Sequence, residues 1–361
     1  MSTPASPPRA VVKPAPAGKS RVLRTPGGLS VRYEPRALVA VLGLLVVALA
    51  VAVVLIGSGD FPIAPGDVVA TLLGDGTPVQ EFAVMDLRLP RVLVAVFVGA
   101  ALGIGGAVFQ SVSRNPLGSP DVIGFGQGAT VGALLVIVLF HGDATAAAAG
   151  AIVGGLVTGA AIYLLAWKRG VHGYRLVLVG IGSAAMLTAV IHYLITKANL
   201  VDATRATVWM TGSLDGRDWT QFWPLFAVCC VLLPVVLGHG RALRMLEMGD
   251  DAAYALGVKV ERTRIVLMTS AVLLVSVATA AAGPIVFVSL SAPQLARRLT
   301  RSPGPNLAAS ALMGSALLLV ADWAATQAFG DRQLPVGVVT GVLGGCYLLW
   351  LLVTERKAGR I

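Results

Sequence analysis

The chain is 361 residues long, 56% hydrophobic and only 13% charged, where a soluble globular domain carries about 25% charge. That composition excludes a soluble enzyme. The net charge of +10 comes with only 6% aromatic residues and lies in short basic runs between apolar stretches, which is the positive-inside pattern of a polytopic membrane protein and not a nucleic-acid surface. The three cysteines, Cys229, Cys230 and Cys346, make no disulfide framework and lack metal-ligand spacing.

Residues 1–36 are rich in Pro, Ala and Ser and carry Lys13, Lys19, Arg21, Arg24, Arg32 and Arg36. They read as a disordered cytoplasmic tail. A bilayer core about 30 Å thick needs roughly 20 apolar residues per helix, and apolar runs closed at charges, Gly or Pro give about ten spans within a membrane unit over 37–357. In chain order they run from Ala37 to Ile56, Val92 to Gln110, Val122 to Phe140, Ala144 to Trp167, Leu176 to Ile195, Phe222 to Leu237 and Ile265 to Ala282. A short segment from Ile285 to Leu295 follows, then Leu307 to Ala328 and Leu334 to Val353. An acidic loop from Asp60 to Asp86 is expected outside.

With the amino end inside, Arg114, the Lys168/Arg169/Arg175 cluster, the loop over 241–264, Arg297/Arg298/Arg301 and the last residues, 358–361, fall on the cytoplasmic side. An even count of spans puts both termini there. Arg88 and Arg91 face outward against this bias, so they need another reason. Small residues recur four apart at Gly99/Gly103, Gly150/Gly154, Gly155/Gly159 and Gly341/Gly345, a spacing that lets membrane helices approach closely.

Several patterns carry no chemistry. Gly18-Lys19-Ser20 has Lys13 where a phosphate-binding loop needs glycine, and Gly124, Gly126 and Gly128 lie in an apolar segment without a βαβ context. His141, His172, His192 and His239 are scattered, so no metal site is expected. Asp322 sits within an apolar run, which points to a functional or interhelical pairing role or, near the span's outer end, to interfacial hydration. No partner for it is evident from sequence, which disfavours an ion-driven carrier with paired intramembrane acids. An integral-membrane enzyme would need clustered His, Asp or Glu, and none is apparent.

The run Arg114-Asn115-Pro116-Leu117-Gly118-Ser119-Pro120-Asp121-Val122-Ile123-Gly124 resembles the R-N-P-L-A-x-P-x-x-L-G motif of iron-siderophore ABC importer permeases. This is the FecCD-type family, which also contains the cobalamin importer's permease. Arg88-Leu89-Pro90-Arg91, the helix Ala101 to Gln110, Trp209 to Leu214 and the Gly249 to Val258 loop resemble further family motifs. So do Gly283-Pro284-Ile285-Val286-Phe287-Val288, Leu334-Pro335-Val336-Gly337 and Gly344-Gly345. The chain departs from the family at Ser289 (usually Gly), Gln294 (usually His) and Thr326 (usually Arg, four residues after the ninth-helix aspartate).

The resemblance implies an all-α protomer of about ten helices in the bacterial inner membrane. Two permeases, identical or paralogous, would pair around the path for a ferric siderophore, with cobalamin or haem as the alternative cargo in the same family. Two separate ATPase subunits would hold ATP and Mg, so this chain would bind no cofactor, and a solute-binding protein would dock outside. Gly249, Asp250, Asp251, Ala253, Leu256 and Gly257 would couple to the ATPase. Arg88 and Arg91 would dock the binding protein, with Arg332 as a substitute for the arginine lost at Thr326, or else anchor to lipid phosphate. Gln110, Arg114, Asn115, Pro116, Gly283, Pro284, Pro293 and Gln294 would lie near the pathway or cytoplasmic gate.

Overall fold

The computed structural model describes residues 21–24, 30–59, 61–167, 173–327 and 333–357. Part of the stretch expected to be without structure is paired: β1 (Arg21–Arg24) and β2 (Ser30–Tyr33) form an antiparallel hairpin with Arg21 opposite Tyr33. Val22, Leu23, Val31 and Tyr33 supply strand-favouring residues. The first helix, α1 (Pro35–Gly57), begins on a proline whose missing N–H costs nothing in the first turn.

The loop expected over 60–86 is largely helical. It holds α2 (Pro65–Leu72), α3 (Pro78–Glu81), closed by a Thr77/Gln80 capping box, and a π-helical turn over Phe82–Arg88. That turn runs on without a break into α4 (Leu89–Ser113), making one span of 36 residues from Pro78 to Ser113. Next come α5 (Pro120–Ile123), α6 (Phe125–Leu139), α7 (Ala144–Ala166), α8 (Gly173–Lys197), α9 (Leu200–Met210) and α10 (Trp219–Gly238). The chain closes with α11 (Gly240–Glu247), α12 (Asp250–Ala255), α13 (Val260–Ala282), α14 (Val288–Thr300), α15 (Leu307–Gln327) and α16 (Val336–Lys357).

Among the described residues, seven helices are long and apolar enough to cross a membrane: α1, the Pro78–Ser113 run, α7, α8, α10, α13 and α15. The apolar helix α6 and the apolar part of α16, Val336–Trp350, are shorter. Together with α14, these give a helix to every expected span. At 13 residues α14 reaches only about 20 Å at 1.5 Å per residue, and the non-helical chain from Gly283 to Phe287 precedes it. The loop read over 241–264 is mostly helix: it holds α11 and α12, and α13 begins at Val260, five residues before the expected span.

The spans differ in how deeply they are buried. α4 and α13 are enclosed along most of their length, whereas α1, α8 and α10 present apolar side chains outward, as helices facing lipid do. Burial of α4 rests on glycine. A Cβ at Gly314 would lie 2.0 Å from the Gly99 carbonyl oxygen, and one at Gly103 would lie 2.2 Å from that of Ser310, so α4 and α15 touch backbone to backbone. Gly150 and Gly154 admit α6 at Gly132 in the same way, and Gly155 and Gly159 admit Ser276 and Val272 of α13. The fourth spaced pair is different: a Cβ at Gly341 meets only Val286, at 3.9 Å, and one at Gly345 meets nothing.

Gly314→Val is therefore expected to force the α4/α15 seam open and destabilise the protein by about 1–3 kcal/mol or more, whereas Gly341→Ala should be neutral. Thermal unfolding of the two purified variants in one detergent checks this. Equal melting temperatures would refute the glycine seam.

Candidate functional site

At one end of α4 the sequence Arg88-Leu89-Pro90-Arg91 forms the join between the π-helical turn and the α-helix. Arg88 donates from Nη1 to the Ile56 carbonyl at 2.8 Å and from Nη2 to the Phe61 carbonyl at 2.7 Å, tying the start of α4 to the end of α1. Arg91 presents its fork to Asp322 of α15, with Nε to Oδ2 at 3.1 Å and Nη2 to Oδ1 at 2.8 Å. A looser approach to Asp215 at 3.6 Å completes its surroundings. The Asp322 side chain is 1% exposed and that of Arg91 21%, so the pair is largely desolvated.

Asp322 thus has a partner that its sequence neighbourhood concealed, 231 residues away. Neither arginine is an unengaged docking fork in this chain. Both line a cavity of about 750 Å³ together with Phe61, Asp322, Thr326 and Gln333. Thr326 turns its hydroxyl back to the Asp322 and Trp323 carbonyls of its own helix. Arg332 lies outside the described residues.

Motifs distant in sequence meet beside α13. A Cβ at Gly212 would strike the Pro284 carbonyl at 2.4 Å, one at Gly283 the Trp209 carbonyl at 2.6 Å, and one at Gly337 the Thr211 carbonyl at 2.1 Å. Backbone hydrogen bonds from Ser213 to Ala282 and from Gly337 to Gly212 hold the junction. Phe287 is left-handed, at φ +68°, an uncommon conformation for a bulky residue. Gly344 leaves room for its ring, since a Cβ there would lie 2.2 Å from Cβ of Phe287.

At the opposite end of α4, some 25 residues or about 37 Å away, the chain turns at left-handed Arg114 into the Asn115-Pro116 loop. Gln110, buried in the last turns of α4, donates to the Leu290 carbonyl at 3.0 Å. Its Oε1 receives Gln294 Nε2 at 2.9 Å and also Arg297 Nη2. Gln294 donates to the Pro116 carbonyl as well, at 2.7 Å. Pro293 sits buried in α14 beside it. The Ser289 hydroxyl donates to Asp121 at 2.6 Å. Burial pushes the Asp121 carboxyl up to about 6, against the opposing effect of the Ser289 and Phe287 hydrogen bonds. Two of the three departures thus have structural partners.

Beyond this turn stand α11 and α12. Gly249, at φ +115°, and Gly257, at φ +82°, make the bends that bound α12. Ser111 of α4 donates to Glu247 at 2.6 Å, and Asp250 is held by Arg114 at 3.1 Å and by Arg264 at 2.9 Å. Ala253 is fully buried and fastens α12 to the bundle, so it is a packing residue and not a contact surface. Asp251 is exposed. Met248, Tyr254 and Leu256 are exposed too, Tyr254 by 77%. A groove of about 610 Å³ beside them is lined by Arg241, Lys259, Arg262 and Leu256, among others. Residue spacing did not bring out Ser111, Glu247, Arg264, Arg297 or Asp215. Apart from Arg264, whose partners Asp250 and Glu261 lie 14 and 3 residues away, each meets a partner remote in sequence, and the one advance signal was the charge of the 241–264 stretch.

Residues 44–354 match the model of the FecCD transport family. The ferric enterobactin transport system permease protein FepG of Escherichia coli is 48% identical over 300 residues, spanning 83% of this chain and 91% of that protein. The iron(3+)-hydroxamate import system permease protein FhuG of Bacillus subtilis is 36% identical over 336 residues, spanning 89% and 97%. A solved metal-chelate type ABC transporter in an inward-facing conformation superposes with a TM-score of 0.77 at 26% identity, covering 87% of this chain and 98% of that one.

The Gln110 cluster yields a graded expectation. Gln110→Leu removes the side-chain donor to the Leu290 carbonyl and the shared acceptor of Gln294 and Arg297, at about 1–3 kcal/mol for a buried donor left unpaired. Gln294→His keeps a ring donor and should cost less. Denaturation of the two variants measures the order, and equal stability of Gln110→Leu and wild type would contradict the network.

Proposed function

This chain belongs to the FecCD transport family, as a membrane permease and not an enzyme, and we propose that it is the transmembrane subunit of an ATP-driven importer for ferric siderophores. The identity of 48% to a ferric enterobactin permease supports the cargo class. In this reading two permeases, identical or paralogous, form the path in the bacterial inner membrane, with both termini in the cytoplasm. Two ATP-binding subunits carry ATP and Mg, and a solute-binding protein delivers the cargo from outside.

The observation that carries the motor half of the reading is the apolar surface on α11 and α12. A strongly charged loop has no reason to expose Met248, Tyr254 and Leu256 together unless a partner covers them. The groove beside them is edged by Arg241, Lys259 and Arg262, which favours a partner of acidic character. At the far end of α4, Arg88 and Arg91 line the cavity that would receive the binding protein. Their fork geometry suits carboxylate. Because both are already engaged within the chain, docking must share or exchange those partners.

Transport follows from movement at the Arg114 end. Closure of the ATPase subunits displaces α11 and α12, and the helices fastened to them move with them. The buried Gln110 cluster, among the described residues a polar knot between α4, α14 and the Asn115-Pro116 turn, is the proposed cytoplasmic gate.

Tyr254→Glu combined with Leu256→Glu is expected to leave membrane insertion intact and to abolish co-purification of the ATP-binding subunits. ATP-dependent uptake of a ferric siderophore into proteoliposomes should be lost with it. Retained co-purification would refute docking through α12, and wild-type uptake of cobalamin in place of the ferric chelate would refute the cargo.

A further inference from the structure

Resting on the reading of α11 and α12 as the coupling element, we propose that Arg264 and Arg114 grip Asp250 to form the link through which motion of α12 reaches α13 and α4. Asp250, Arg264 and Arg114 are then positioning residues for transport.

The geometry is specific. Asp250 opens α12, and both of its carboxylate oxygens lie 2.9 Å from Arg264 Nη2, while Oδ1 also receives Arg114 Nη2 at 3.1 Å. Arg264 stands in the second turn of α13 with its side chain 4% exposed. Its Nη1 meets Glu261 at 3.2 Å, and Glu261 in turn accepts the Tyr163 hydroxyl of α7 at 2.5 Å. Among the described residues Arg264 Nε is enclosed without a hydrogen-bond partner. The charged groups facing one another are thus two arginines and two acids, drawn from the α4 turn, α12 and α13.

Two physical arguments make this a transmitting link. First, α12 has six residues, far below the length at which a helix holds itself together. Its placement is set by what fastens it, and the fastenings are the buried Ala253, the Asp250 carboxylate and, just before Gly249, the Ser111 to Glu247 bond. Second, a buried guanidinium that loses Asp250 keeps only Glu261 as a counter-charge and is left with its Nη2 edge unpaired in a poorly solvated setting. Sliding α12 away from Arg264 is therefore unfavourable, and the lower-energy response is for α13 and the α4 turn to follow. An ordinary solvated loop would bring its charges to water and would not direct an arginine from a buried helix face into its first turn.

The test uses the whole transporter with its ATP-binding subunits and binding protein in proteoliposomes. Arg264→Gln, at a buried position off the docking face, should leave co-purification of the ATP-binding subunits and basal ATP turnover within about twofold of wild type. Binding-protein-stimulated turnover and uptake should fall about tenfold or more, a loss of roughly 1.4 kcal/mol of coupling. Arg264→Lys, which keeps the charge and loses the fork, should fall in the same two readouts by less, and Asp250→Asn should show the same two losses, most of which Asp250→Glu recovers. Uptake within twofold of wild type for both Asp250→Asn and Arg264→Gln would overturn the proposal. So would parallel loss of co-purification, basal turnover and uptake without rescue by Asp250→Glu, the outcome of a purely structural role. The underlying docking reading fails separately, if the Tyr254/Leu256 double variant still retains the ATP-binding subunits.

Discussion

Backbone contact between α4 and α15 is the constraint from which the rest of the architecture follows. Gly99 and Gly103 on one helix and Gly314 on the other remove the side chains that would hold them apart. A helix seated so deeply has no lipid or water along most of its length, so its polar residues must find partners within the protein. At one end Arg91 meets Asp322, which the same helix contact brings within reach. At the other, Gln110, Ser111 and Arg114 are each tied to a different element: α14, α11 and α12.

The consequence is a central helix fastened at both ends. The fastening at the Arg91 end is an ion pair in a poorly solvated setting, where the cost of desolvation is met only because the fork is complete. The fastening at the Arg114 end is distributed over an amide network that also takes in Arg297 and over an arginine-acid cluster, which allows rearrangement one bond at a time. Under the proposed function, that asymmetry suits an importer whose gate lies at the Arg114 end of α4.

Much of the fold was legible from the chain, because the lipid environment makes apolar run length a direct measure of span. The early helices were not. Asp60 to Asp86 read as a loop because α2 and α3, at eight and four residues, are far too short to register as spans, and nothing in their composition marks the π-helical turn that joins α3 to α4. Position in the family motif identified Arg91 and Asp250, but their partners could not be read, since Asp322 and Arg264 are set by packing and not by spacing. Gly341 and Gly345 show the converse limit: their spacing matches that of Gly99 and Gly103, yet they seat no helix within this chain. The departures at Ser289 and Gln294 became intelligible only once Asp121 and Gln110 stood opposite them.

The central claim, that α4 is locked to α15 by a complete Arg91/Asp322 pair, is tested most directly by a double-mutant cycle on thermal stability. The cycle uses Arg91→Met, Asp322→Leu and the two combined in the purified protein. The account predicts that each single change, by stranding its partner, costs about 3–5 kcal/mol and that the double change costs less than the sum by at least about 1.5 kcal/mol. Additive effects, agreeing within about 0.5 kcal/mol, would show that the two side chains do not depend on each other and would contradict it.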